Sequence, residues 1–213
     1  MNQQLVILGT HVFAEEVADL AAQTPDYEVS AFAENWDRER CRDPLLDRPV
    51  IWIDDLEPLA PTHAAICAIG STRRSQFIEP VCDLGFRFAT LRHPGASVSP
   101  TASLGAGCVI GPGSVIAARA RLGDHVIVNR GTLIGHHTSI GDYVTLSPGA
   151  NVAGCVEIGE AAYIAMGAVV LDRISVGSHS IVGAGAVVTH DVPDHVQVQG
   201  VPARIVKENV EGR

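Results

Sequence analysis

The sequence predicts two parts. Residues 1–92 form a small α/β unit on a parallel sheet (Rossmann-like), and residues 93–213 form an all-β parallel helix of hexapeptide coils. Three observations carry this. A six-residue period runs from Val98 to Val188, and all sixteen positions it marks are Val, Ile or Leu. Before it, apolar strand-like runs alternate with amphipathic ones. Pro94 and Pro100 punctuate the change between the two regimes.

Leu5 to Gly9 reads as a buried strand ending in a turn. Phe13 to Ala22 reads as a helix, because Phe13, Val17, Leu20 and Ala21 fall on one side at helical spacing. Val29 to Ala33 and Ala64 to Gly70 are two further strands. Ser71-Thr72 starts a helix running to Leu84, and Arg87 to Leu91 forms a last strand. Strands that alternate with helices make a parallel sheet, and ligands gather at the carboxyl ends of its strands. Those ends are Gly9-Thr10-His11, Glu34-Asn35 and Gly70-Ser71. The Gly9 turn offers free helix amides to an anion. The dinucleotide pattern G-x-G-x-x-G is absent, since His11 and Val12 stand where further glycines would be.

A helix repeats near 3.6 and a flat strand at 2, so neither gives a strict period of six. A coil of short strands and tight corners does. Two places before each aliphatic residue stands a small or β-branched one, from Ala102 and Cys108 through to Val156. Strand alternation points both inward and leaves the rest of the hexad to turn the corner. Three hexads close one coil, giving about five coils at ~4.8 Å each. The outward columns are then Val109, Ile127, Thr145, Tyr163, Ile181 on a first face and Val115, Leu133, Asn151, Val169, Val187 on a second. Ser103, Arg121, Ser139, Glu157 and Ser175 make a polar third face. Soluble monomers rarely expose two apolar stripes, so sister copies are expected to cover both, most simply in a homotrimer.

The chain has 213 residues, 46% apolar and 18% charged, the balance of a soluble globular protein. A net charge of −9 argues against a nucleic-acid surface or an anionic membrane. No stretch reaches membrane-spanning length, and Met1 to Leu8 carries no basic leader. A cytoplasmic protein with no membrane insertion is expected. The five cysteines show no CxxC spacing and read as free thiols in a reducing compartment.

His136 and His137 fall on the corner between the second and third faces, at the rim of an expected interface. The same edge carries Gly154-Cys155 one coil on and Asp172-Arg173 two coils on. A groove along it would hold a long thin ligand with His136 at one end. A corner histidine is also a common solvated residue, and pattern alone leaves both readings open. A zinc site is not expected, because His125 and His136 lie on different edges of one prism.

Several stretches together are more specific. Leu84 to Pro94, Asn129 to Asp142, Ser147 to Gly154, Gly183 to Val188 and Gly200-Val-Pro-Ala-Arg204 resemble the sialic-acid O-acetyltransferase and bacillosamine N-acetyltransferase family of hexapeptide-repeat sugar acetyltransferases. Leu8 to Val17, and Ala68-Ile-Gly70 with Arg73, fit that family's small nucleotide-sugar domain. The resemblance implies a left-handed β-helix, a trimer, and acetyl-CoA as co-substrate between adjacent prisms, with no metal. It implies N-acetylation of a nucleotide-linked amino sugar, often a 4-amino-4,6-dideoxy sugar. By resemblance His136 is the general base, with His137 beside it. Gly9, Thr10, His11, Glu34, Asn35, Gly70, Arg73 and Asn129 fall on substrate positions. Thr145, Gly154, Met166 and Ala184 fall on cofactor positions, and charge suggests Arg204 or Lys207 for the cofactor's 3′-phosphate.

Three departures from the family pattern bear on chemistry. The acidic residue that usually follows the base is His137, a histidine common at the Thr145 position is absent, and the first turn keeps one glycine. The expected reaction is direct acetyl transfer, with His136 taking a proton from the attacking amine. Two other readings stay open: a sugar O-acetyltransferase on the same scaffold, and a non-catalytic nucleotide-sugar-binding trimer.

Overall fold

A computed structural model describes residues 2–213; Met1 lies outside the described residues. β1 (Gln3–Leu8), β2 (Tyr27–Glu34), β3 (Val50–Trp52), β4 (His63–Cys67) and β5 (Arg87–Phe88) form one parallel sheet in the order β3-β2-β1-β4-β5. α1 (Val12–Ala22) links β1 to β2, and α2 (Ser75–Asp83) lies between β4 and β5. β1 is central and covered on both sides, which is why Leu5 to Leu8 is unbroken apolar sequence. Leu5 and Ile7 share a core with Val17 and Leu20 of α1. Val6 and Leu8 pack with Phe77, Ile78 and Val81 of α2. The strand order reverses at β1, and in open parallel sheets the carboxyl ends of the strands at such a switch, here β1 and β4, are where ligands gather.

The stretch read as one strand from Arg87 to Leu91 divides. Arg87–Phe88 pairs with β4, whereas Leu91–Arg92 pairs with Val109–Ile110 and opens the first coil. From there to Val188, two-residue strands stack into three parallel sheets, each strand pairing with its counterpart one coil on. The coils are left-handed. Fourteen of the sixteen hexad aliphatics are buried; Val98 and Leu104, in the first coil, are half-buried against the same core. The small inward residues fit the narrow prism interior. Where they are polar, their hydroxyls are spent on carbonyls: Ser114 donates to Gly111 at 2.8 Å, and Thr138 to Ala153 at 2.9 Å. Beyond the coils, Val196–Gln199 extends the first face and Arg204–Glu208 returns antiparallel to it.

The first face corrects an expectation. No sister copy is needed there, because the chain's own α/β unit covers it. Val109 and Ile127 belong to the same core as Leu5, Ile7 and α1, and Thr145 and Tyr163 are buried as well. Periodicity marks which faces are apolar but carries no information about what folds over them. The second face stays open: Val115 and Leu133 are 39% and 41% exposed.

Arg74 bolts the two parts together. It is 2% exposed. Its Nη1 donates to the Ser71 carbonyl and to the Thr145 hydroxyl, each at 2.8 Å. Nη2 donates to the carbonyls of His125 at 2.6 Å and Val144 at 2.9 Å, and Nε donates to His125 at 3.1 Å. Burial pulls its pKa down to about 10, so the guanidinium stays charged at neutral pH, held by oxygen dipoles.

Candidate active site

His136 and His137 sit where the hexads place them, on the corner after Leu133–Ile134. The corner is fixed by backbone bonds on both sides. His137 donates to Ala118 one coil back at 2.9 Å, and Cys155 one coil on donates to the His136 carbonyl at 2.8 Å. His137 adopts the left-handed conformation, φ 60°, that these corners require. The His136 ring lies over Gly154. A Cβ there would stand 2.7 Å from Cε1 and 2.8 Å from Nε2 of the imidazole, so a larger residue beneath the ring would push it from this position. The two Nδ1 atoms of His136 and His137 are 3.2 Å apart. With the proton on Nδ1 of His136 and the bare Nδ1 on His137, the Nε2 lone pair of His136 is left free to accept a proton. Both rings are exposed in the single chain.

A second group gathers at the carboxyl ends of β1, β2 and β4. Gly9 takes φ +118°, and a Cβ on it would press to 3.2 Å from the Ala68 carbonyl. The Thr10 hydroxyl donates to the Glu34 carboxylate, and both residues are buried. Glu34 also accepts the amides of Asn35 at 2.9 Å and Trp36 at 2.7 Å. Burial pushes the Glu34 carboxyl up, but the Thr10 hydroxyl and these amides outweigh it and hold the group below its ordinary value. His11, Asn35, Gly70 and Arg73 are exposed around this end. His11 caps α1 by position without a side-chain hydrogen bond, which leaves the helix amides open.

A third group lies on the edge between the first and second faces. Asn129 lines a cavity of about 130 Å³ between α1 and the coils, with Phe13, Leu20, Gln23, His93 and Ile127. Met166, 59% exposed, and Ala184 follow down the same edge. One chain therefore does not unite the predicted residues. His136, His137 and Gly154 occupy one edge of the prism, while Asn129, Met166 and Ala184 occupy another. Arg204 is exposed on the last strand, at the far end of the coils. Thr145 does not belong to any of these groups. It is buried under the α/β unit as an acceptor for Arg74, away from the edge that carries Met166 and Ala184. Sequence reasoning missed Arg74 because a lone arginine beside Arg73 carries no signal of burial. It missed the cavity because Phe13 and Leu20 read as ordinary core. Among the described residues, no group of three His, Cys, Asp or Glu side chains is placed to hold a metal ion. No helix among them is long and apolar enough to cross a membrane.

The family profile "Bacterial transferase hexapeptide (six repeats)" matches residues 155–190. Among curated protein sequences, none matches this chain. Solved structures do. A perosamine N-acetyltransferase variant from Caulobacter crescentus, in complex with CoA and GDP-perosamine, is 32% identical; the match covers 96% of this chain and 97% of that one, with a TM-score of 0.89. The acetyltransferase domain of PglB from Neisseria gonorrhoeae FA1090, in complex with acetyl coenzyme A, is 34% identical over 97% and 100% of the two chains, with a TM-score of 0.88. WeeI from Acinetobacter baumannii AYE is 28% identical over 95% and 99%, with a TM-score of 0.86. Matched at 32% and 34% identity over nearly its whole length, and built from the same coils, this chain belongs to the hexapeptide-repeat sugar acetyltransferases.

Proposed function

We propose that the chain is an acetyl-CoA-dependent N-acetyltransferase acting on the amino group of a nucleotide-linked amino sugar, a 4-amino-4,6-dideoxy sugar. What supports this reading is the pairing of a corner imidazole packed over Gly154 with an α/β unit whose strand order reverses at β1. The similar structures hold GDP-perosamine and CoA in one case and acetyl coenzyme A in another, which supports both substrates.

In this reading Nε2 of His136 takes a proton from the acceptor amine as its nitrogen attacks the thioester carbonyl. The C–N bond forms, the C–S bond breaks, and the sulfur leaves as the thiol of CoA, taking the proton that His136 accepted from the amine. His137 orients the His136 ring through the Nδ1 contact and stands where the family places a carboxylate. Histidine suits the task because its ordinary pKa lies near working pH. Asn129 contacts the sugar, and Gly9, Thr10 and Gly70 shape the nucleotide crevice. Met166, Ala184 and Arg204 line the cofactor's path.

The reading requires a homotrimer. The exposed second face, with Val115 and Leu133, is closed by sister copies, and this brings the His136 edge of one copy to the Asn129 edge of the next. Holding acceptor and thioester together on that seam contributes orientation, which can exceed the proton-transfer contribution.

The test is acetyl transfer from acetyl-CoA to a panel of GDP-, UDP- and dTDP-linked amino and hydroxy sugars, read by mass. Acetylation of an amino sugar alone is expected. Transfer only to hydroxyl groups would establish the O-acetyltransferase alternative, and cofactor binding with no transfer to any acceptor would establish a non-catalytic protein.

A further inference from the structure

One large side chain at the carboxyl end of the sheet has no structural task. Trp36, two residues beyond β2, is 90% exposed. Its backbone is held firmly. The Glu34 carboxylate accepts the amides of Asn35, Trp36 and Asp37, at 2.9, 2.7 and 3.4 Å, through one oxygen, and the Thr10 hydroxyl through the other. Arg40 donates to the Thr10 carbonyl at 3.0 Å and ties the same loop to the end of β1. The other tryptophan is engaged: the Arg38 guanidinium lies 5.3 Å over the Trp52 ring, and the Trp52 indole donates to Asp54 at 3.1 Å. A rigid turn, anchored on the buried Thr10–Glu34 pair at the carboxyl ends of β1 and β2, therefore presents a bare indole.

We propose that Trp36 is the residue on which the nucleobase of the nucleotide sugar stacks, with Glu34 as its positioning residue; this rests on the nucleotide-sugar reading above. Glu34 is buried, and its oxygens are committed to the turn: one takes three backbone amides and the other the Thr10 hydroxyl. An indole offers a π-face to any base, and a pinned backbone lowers the ordering cost of binding. Trp36 accordingly sets affinity for the nucleotide half of the substrate, not the rate of transfer.

The test uses the full chain with GDP and UDP as probes. In a Trp52→Phe background, emission comes from Trp36 alone, and both nucleotides are expected to quench it. By calorimetry, Trp36→Ala is expected to weaken GDP and UDP binding roughly tenfold to a hundredfold. The same variant should raise KM for the nucleotide sugar while kcat and KM for acetyl-CoA hold. Trp36→Phe, which keeps a π-face, should recover most of the loss. Inorganic pyrophosphate, which has no base, should bind wild type and Trp36→Ala alike. Circular dichroism should show the Trp36→Ala fold intact. If the wild type binds GDP and UDP and Trp36→Ala binds them equally well, the role of Trp36 is overturned and the nucleotide-sugar reading stands. If the wild type binds neither, the reading fails and the inference falls with it.

Discussion

His136 is placed by what lies beneath it. The imidazole rests on Gly154 and meets His137 at Nδ1, so its direction is set by packing and one neighbour. His125 shows the opposite use of the same side chain. It stands at a corner between the third and first faces, 6% exposed, edge-on to Phe88 at 4.7 Å and stacked on Tyr143 at 5.4 Å. Its Nδ1 has no partner among the described residues. Burial pushes its pKa down to about 4 against the pull of Asp124 and Asp142, and the Arg74 guanidinium adds to the push. The unfolded chain takes up this proton first, near pH ~6.5. Stability from the neutral ring is therefore complete above about pH 6.5 and is lost as pH falls toward 4, by about 2–3 kcal/mol. His125→Asn, which tolerates the left-handed corner and does not titrate, should flatten the urea midpoint between pH 7.5 and 5 relative to wild type. Parallel pH slopes in the two proteins would refute this account of His125.

At the scale of elements, the joint between α2 and the coils depends on Arg74. Arg74→Met keeps apolar volume but leaves the His125 carbonyl and Thr145 hydroxyl without their donor. It should cost about 2–4 kcal/mol, read as a lower urea midpoint. An unchanged midpoint would mean the guanidinium's desolvation cancels its bonds. The hexads were legible to the residue, because a two-residue strand with one inward aliphatic repeats without exception from Val98 to Val188. The corner of His136 followed from the same counting. α1, β1 and β4 were legible from apolar spacing. β3, a three-residue edge strand, and the closing Arg204–Glu208 strand were not, since both are short and half-polar or exposed. The cover of the first face was also beyond reach. Thr145 in an apolar column reads like any surface threonine until Arg74 is seen to reach it.

At the scale of the molecule, the predicted seam depends on the second face. Val169 and Val187 are half-buried in one chain, and Val115 and Leu133 are the most open of the column's valines and leucines. Leu133→Asp with Val169→Asp should convert a trimer to monomers in sedimentation equilibrium and abolish transfer, while circular dichroism holds. Retention of the trimer in that variant would contradict the face assignment. The chemistry itself is tested most directly at one side chain. Acetyl-CoA-dependent acetylation of a nucleotide-linked 4-amino sugar should be carried out by the wild type and fall by roughly 100-fold or more in His136→Ala, with fold and assembly unchanged. Undiminished turnover in His136→Ala would contradict the assignment of His136 as the proton acceptor.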